Sequence, residues 1–151
     1  MVAHIQLTHE TLDPDHLLRI VSSPQAGAVA IFHGVVRNHN LGRTVLYLEY
    51  EAYPEMAERE LKRIAAEIAA EFGLEGIAIA HRLGRLQIGE TSLLVAVSSA
   101  HRAEAFAACQ AAVDRIKQTV PIWKKEYWED GSHWVEGAGA PQDESARTAA
   151  F

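Results

Sequence analysis

Residues 28–36 read AVAIFHGVV, an almost uninterrupted run of apolar and β-branched side chains. A run of this length between turn residues is typical of a strand buried inside a sheet. Residues 93–98, LLVAVS, have the same character and predict a second central strand. Polar residues follow each run, RNHN at 37–40 and SAHR at 99–102. Because functional side chains usually lie where regular elements end, we expect the chemistry at these two junctions.

Three helices are predicted along the chain. Asp13 and Pro14 indicate the start of a helix that stops near residue 22, since Asp is a favoured N-cap and Pro fits the first helical position. Pro54 opens a second helix, whose apolar residues recur every three or four positions until Gly73. A third helix is predicted over residues 102–117. Its expected apolar stripe is Phe106, Cys109, Val113 and Ile116.

The remaining extended segments complete the predicted fold class. They are expected at residues 44–53, 77–80, 84–89, 122–128 and 133–136, and the last two form a hairpin around the turn at 129–132. This mixture predicts an α+β fold with a largely antiparallel sheet and a hairpin subdomain. We expect one domain over residues 1–136 and a flexible C-terminal tail over 137–151, where Gly, Ala, Pro and polar residues dominate.

Composition excludes several classes of protein. The 151 residues carry 14 basic and 20 acidic side chains, and the net charge of −6 disfavours nonspecific nucleic-acid binding. No apolar run approaches the length of a membrane span, and the first residues lack a signal-peptide pattern. The single cysteine, Cys109, excludes a disulfide framework and indicates a reducing cytoplasm. The eight histidines lack metal-site spacing, so no metal or cofactor is expected.

The positive charge is unevenly distributed. Only four residues are lysine, and three of them, Lys117, Lys124 and Lys125, fall within nine positions around Pro121. This spacing fits a solvated turn, or a cationic pocket for an anionic ligand if Lys124 folds back beside Lys117. Neighbouring ammonium groups lower each other's pKa, and a neutral lysine can act as nucleophile or general base.

His101 and Arg102 form a second candidate site. They lie between a predicted central strand and a helix, where backbone N–H groups and the helix dipole favour an anion. An arginine can bind phosphate or carboxylate through two parallel hydrogen bonds. Ordinary capping of the helix by Ser99, with His101 and Arg102 merely exposed, explains the same pattern equally well.

Several segments together resemble one known family. HGVVRNHN at 33–40, SAHR at 99–102, KQTVPIWKKE at 117–126 and HWVE at 133–136 resemble, in order and spacing, the large catalytic subunit of molybdopterin synthase, the MoaE family. The resemblance implies an α/β hammerhead-like fold and a homodimer. It also implies that each subunit binds a small ubiquitin-like sulfur-carrier subunit ending in a Gly-Gly thiocarboxylate. The implied reaction transfers two sulfurs to cyclic pyranopterin monophosphate, which creates the dithiolene of molybdopterin without a metal.

The resemblance also implies roles for single residues. Lys117 and Lys124 match the family's catalytic lysines. The residues matched to the surroundings of the pterin phosphate are Arg37, His101 and Arg102. The flanking residues expected to line the pocket are Val35, Val36, Lys125 and Glu126. Pockets in this family draw on two subunits. An arginine that some members carry after the Trp-Val-Glu segment has no counterpart here, where residues 137–140 read GAGA.

Two other functions use the same features. A noncatalytic module could bind a ubiquitin-like partner, with the lysines receiving its acidic tail. A phosphate-ester enzyme could use the same anion pocket, and it would release phosphate without any carrier. Only a sulfurtransferase requires both the carrier and the pterin and loses product when Lys117 is replaced.

Overall fold

A computed structural model describes residues 1–135, so Glu136 and the predicted tail over 137–151 lie outside the described residues. The helices are α1 (Pro14–Val21), α2 (Pro54–Phe72) and α3 (Arg102–Thr119). The strands are β1 (Val2–Thr8), β2 (Ala28–Val35), β3 (His39–Asn40), β4 (Arg43–Thr44), β5 (Tyr47–Ala52), β6 (Gly76–Arg82), β7 (Gly84–Gln87), β8 (Thr91–Ser99), β9 (Ile122–Trp128) and β10 (Gly131–Val135). Within residues 1–135, no helix is long and apolar enough to cross a membrane.

The first sheet has the strand order β1-β6-β8-β2 and is covered on both faces. Helices α2 and α3 pack on one face, against side chains such as Ile77 and Val95. Helix α1 packs on the other face, against Ala78 and Ala96. A strand with both faces buried has an apolar run rather than an alternating pattern, which explains the sequence of β8. Strand β2 lies at one edge of this sheet.

The second sheet has the strand order β10-β9-β5-β7, and all of its pairs are antiparallel. The hairpin of β9 and β10 was predicted, and the structure confirms it with Glu126 opposite His133. A third apolar cluster, which includes Val36, Leu48 and Leu86, fills the inner side of this sheet. Residues on that inner face of β5 and β9 therefore point toward the place where β2 ends.

Most predicted elements are confirmed. The Asp13 side chain accepts a hydrogen bond from the Asp15 backbone N–H at 3.0 Å, as expected of the α1 N-cap. Helix α2 begins at Pro54 and ends before Gly73, which adopts the left-handed conformation at φ 62°. The α+β class is confirmed, and β1 with β6 is the parallel exception among the antiparallel pairs.

Three expectations are corrected. Phe106 is 69% exposed and does not belong to the buried stripe of α3, which includes small residues such as Ala105 and Ala112. Strand β1 was not predicted, although Ile5 and Leu7 alternate with polar neighbours as in a half-buried strand. The polar segment at residues 37–40 was not assigned to a strand, but it contains β3, which pairs with β4 in a small hairpin.

Candidate active site

The site lies where β2 and α3 both end. Strand β2 is antiparallel to β8, and α3 returns over the sheet after β8, so β2 and α3 run in the same direction. Arg37 follows the end of β2, and Lys117 occupies the last turn of α3. The Lys117 Nζ atom lies 5.7 Å from the centre of the Phe32 ring, which confirms that the two ends are adjacent.

A cavity of about 220 Å³ opens at this point. It brings together six of the residues singled out from the sequence, namely Val35, Val36, Arg37, Lys117, Lys124 and Glu126. The other lining residues are Phe32, His33, Gly34, His39, Asn40, Val45, Leu48 and Tyr50. Lys117 and Lys124 thus face one cavity from two elements, as the turn at Pro121 suggested.

Lys124 is the most strongly perturbed cation of the cavity. Only 8% of the residue is exposed, because β9 directs it inward between the third apolar cluster and α3. Burial is the main cause that lowers the pKa of Lys124 to about 8, a value in which the Glu126 carboxylate opposes the shift and Arg37 and Lys117 add to it. Burial also lowers the pKa of Lys117, although Asp114 opposes this. Lys124 can therefore exchange a proton near neutral pH.

Glu126 supplies the negative charge of the cavity. It is 3% exposed, and its Oε2 atom accepts a hydrogen bond from Asn40 Nδ2 at 2.7 Å. Its Oε1 atom accepts a longer one from Trp128 Nε1 at 3.3 Å. Burial raises the pKa of Tyr50 to about 12, and Glu126 contributes to that rise while a hydrogen bond with Ser92 opposes it. Tyr50 therefore remains a neutral phenol in this site.

The lowered pKa of Lys124 predicts a pH dependence of stability. Below pH 8 Lys124 is charged in both the native and the unfolded protein, and burial of this charge destabilises the native state. Above its usual pKa of 10.5 it is neutral in both states and the cost is gone. The free energy of unfolding should therefore rise between these pH values by up to about 3 kcal/mol relative to Lys124→Met. Urea unfolding of both chains across this pH range measures the difference, and a pH-independent difference would contradict the prediction.

Lys125 does not line this cavity with its side chain, contrary to expectation. Successive residues of a strand point to opposite faces, so Lys125 faces away from Lys124 and Glu126. Its Nζ atom lies 5.5 Å from the Tyr127 ring centre and 5.2 Å from that of Trp134.

His101 and Arg102 are not part of this cavity within one chain. They lie at the start of α3, beside Gly27 and the beginning of β2, and both are exposed. Arg102 and Lys117 are fifteen positions apart on α3, which is a distance of about 22 Å along the helix axis. One chain therefore places the two predicted cationic clusters at opposite ends of the same helix.

The sequence interpretation missed three residues that shape the cavity: Asn40, Tyr50 and Trp128. Asn40 belongs to the RNHN segment. The Leu41-Gly42 pair after it forms a tight turn, and recognising that turn would have assigned Asn40 to the end of a hairpin strand. Tyr50 shares the inward face of β5 with Leu48, which the alternating pattern indicates. The only sequence signal for a contact between Trp128 and Glu126 is that they are two positions apart, and so on the same face of a strand.

Among residues 1–135, no three His, Cys, Asp or Glu side chains converge as a metal site requires.

The fold and the cavity define an α+β protein in which an arginine and two lysines line one cavity at a sheet edge. A family model described as MoaE protein matches residues 7–119. The chain is 50% identical over 115 residues to the molybdopterin synthase catalytic subunit of Halalkalibacterium halodurans, covering 76% of this chain and 74% of that protein. The chain belongs to the MoaE family, the catalytic subunits of molybdopterin synthase, and is an enzyme of molybdenum cofactor biosynthesis.

Solved structures agree with this assignment. The crystal structure of molybdopterin synthase from Staphylococcus aureus matches with a TM-score of 0.82 and 44% identity, covering 85% of this chain and 94% of that one. A Helicobacter pylori complex of subunits 1 and 2 of molybdopterin-converting factor matches with a TM-score of 0.70 and covers 97% of this chain and 93% of that one. At 21% identity, the second match supports the fold alone.

Proposed function

We propose that the chain transfers sulfur from the C-terminal thiocarboxylate of a small ubiquitin-like carrier to cyclic pyranopterin monophosphate, with Lys117 and Lys124 as catalytic residues. When sulfur leaves the carrier's carbonyl carbon, an oxygen from water replaces it, and the carrier ends as a carboxylate. On the substrate, each new C–S bond replaces a C–O bond of the same carbon, and the displaced oxygen takes up a proton and leaves that carbon. Two such transfers, with no change of oxidation state, produce the dithiolene. Each requires that an anionic carrier tail and an anionic substrate meet in one site, where protons can be exchanged.

The observation that carries this proposal is the convergence of Arg37, Lys117 and Lys124 on one cavity. Three cations of this kind suit both a phosphate and a thiocarboxylate, because ionised acceptors form the strongest hydrogen bonds with charged donors. Burial lowers the pKa of Lys124 to about 8, so it can both donate and accept a proton at physiological pH. We assign proton transfer to Lys124 and contact with the carrier terminus to Lys117.

The carrier is expected to insert its Gly-Gly tail into this cavity. A volume of about 220 Å³ is small, and glycine offers the least side-chain bulk for such an entry. The Helicobacter pylori protein of the same fold was solved as a complex of two subunits, which gives a precedent for the assembly. The cytoplasm stays the predicted compartment.

Reconstitution tests the proposed reaction. The purified chain is mixed with a thiocarboxylated carrier and cyclic pyranopterin monophosphate, and the dithiolene product is followed by mass spectrometry. Product that depends on both components supports sulfur transfer. A stable carrier complex without product would favour the noncatalytic binding module, and phosphate release without carrier would favour a phosphate-ester enzyme.

We also propose a homodimer in which the edge strands β2 of two copies meet. Beside β2 lies a groove of about 600 Å³ that includes Val29 and Phe106, which are 48% and 69% exposed. An exposed edge next to an apolar groove favours association with another chain. If the two β2 strands pair antiparallel about a twofold axis, the start of one lies beside the end of the other. The partner's His101 and the partner's Arg102 then approach the cavity that holds Lys117.

A further inference from the structure

A small hairpin lies against the carboxylate of the cavity. Strands β3 and β4 pair His39 with Thr44 and Asn40 with Arg43. The turn between them consists of Leu41 and Gly42, which have φ values of 48° and 77°. Two consecutive positive φ values are typical of the tight turn that joins antiparallel strands. Leucine adopts this conformation at a steric cost, so the contacts of the hairpin have to hold it.

Both strands of the hairpin contact the surroundings of Glu126. From β3, the Asn40 amide donates to Glu126 Oε2 at 2.7 Å. From β4, the Arg43 guanidinium lies 4.3 Å from the centre of the Trp128 ring, and its Nη1 lies 3.6 Å from Asp130 Oδ2. Trp128 is the second donor to Glu126. The hairpin therefore contacts Glu126 directly and also contacts the side chain that binds its other oxygen.

We propose that Asn40 is a positioning residue of the reaction, whose side-chain amide fixes the Glu126 carboxylate beside Lys124 and so sets the charge state of that lysine. This proposal rests on the proposed function of Lys124. Asn40 is 8% exposed, and its side-chain amide donates a hydrogen bond to Glu126, so we infer that it acts on Lys124 through Glu126. An amide suits the position because it donates a hydrogen bond to a carboxylate without adding charge.

The charge balance around Lys124 explains why the position of Glu126 matters. Glu126 favours the charged form of Lys124, whereas Arg37 and Lys117 disfavour it. The titratable and charged groups around Lys124 and Glu126 are Arg37 after β2, His33 on β2, His39 on β3, Tyr50 on β5, Lys117 on α3 and His133 on β10. A carboxylate that turns away leaves Lys124 facing the two cations. A second carboxyl group at residue 40 has the opposite effect.

The test titrates Lys124 directly and does not depend on sulfur transfer. The chain has only four lysines, so labelling lysine with ¹³C at Cε gives four NMR signals, which Lys→Arg variants assign. We expect the pKa of Lys124 to fall by about 0.5 or more in Asn40→Ala and to rise in Asn40→Asp, because removing a donor and adding a carboxyl act in opposite directions. Asn38→Ala is the matched control, since exposed Asn38 lies in the same segment and its side chain bonds His39.

The same variants are then assayed for sulfur transfer across pH. The limb of the pH–rate profile that reports Lys124 should move to lower pH in Asn40→Ala and to higher pH in Asn40→Asp. Thermal unfolding checks that each variant is folded. A Lys124 signal that stays unchanged in both variants, or that moves in the same direction in both, would overturn the positioning role. If the native chain transfers no sulfur, the proposed function fails, while the NMR titration still decides the role of Asn40.

Discussion

Lys117→Ala and Lys124→Ala should each lower the rate of dithiolene formation by a factor of about 10²–10⁴, because one removes the proposed charged contact to the reacting carrier terminus and the other the proposed proton-transfer group. Lys124 is buried among the cavity residues with a pKa of about 8, and alanine leaves nothing there to exchange a proton. Lys117 lies at the mouth of the same cavity, over the Phe32 ring. Single-turnover reconstitution, followed by mass spectrometry, measures the loss, and carrier binding is measured separately by calorimetry.

Two further variants separate chemistry from general electrostatics. Lys62 is an exposed lysine of α2 that pairs with Glu58 at 3.1 Å, so Lys62→Ala removes one positive charge far from the cavity and should keep the native rate. Lys124→Arg keeps the charge but cannot release a proton near neutral pH. If Lys124→Arg were fully active, Lys124 would act only by attracting anions. If Lys117→Ala and Lys124→Ala kept the native rate, the assignment of catalysis to these lysines would be wrong.

Local sequence patterns predicted the elements that depend on local physics. Pro54 and Gly73 bound α2 because one residue fits a helix start and the other accepts the left-handed conformation. The alternation of Ile5 and Leu7 with polar residues is a local strand signal that the sequence analysis did not use, whereas the pairing of β1 with β6 joins segments about 74 residues apart and has no local signal. Phe106 was assigned to the core by its apolarity, yet half of the buried residues of α3 are alanine and Phe106 is exposed. Side-chain size alone does not show which face of a helix is covered.

The candidate site was predictable to the extent that it lies at the ends of elements. Lys117 and Lys124 flank the turn at Pro121, so the sequence offered their approach as one of two interpretations, and the structure places both on one cavity. The inward direction of Lys124 and the outward direction of Lys125 depend on the register of β9 against β5, which the sequence does not specify. Asn40 and Glu126 are separated by 86 positions, and their hydrogen bond exists only in the folded chain.

Mixing two inactive variants should restore part of the activity if each active site is built from two chains. One variant is Lys124→Ala and the other is Arg102→Ala, each expected to be inactive alone as a homodimer. When the subunits exchange at equal concentration, half of the dimers contain one chain of each kind. In such a dimer one site lacks both groups and the other has both, so about a quarter of the native activity returns if the dimer is a symmetric pair.

The mixing experiment has an internal control in the geometry of the chain. Lys117 and Lys124 line the same cavity of one chain, so no exchange between Lys117→Ala and Lys124→Ala can assemble an intact site. That mixture should stay inactive, whereas the mixture with Arg102→Ala recovers. Since Arg102 lies at the far end of α3 from Lys117, only a second copy can bring the two clusters together. Full activity of the Arg102→Ala homodimer, or no recovery on mixing, would show that the site does not use Arg102 from the partner.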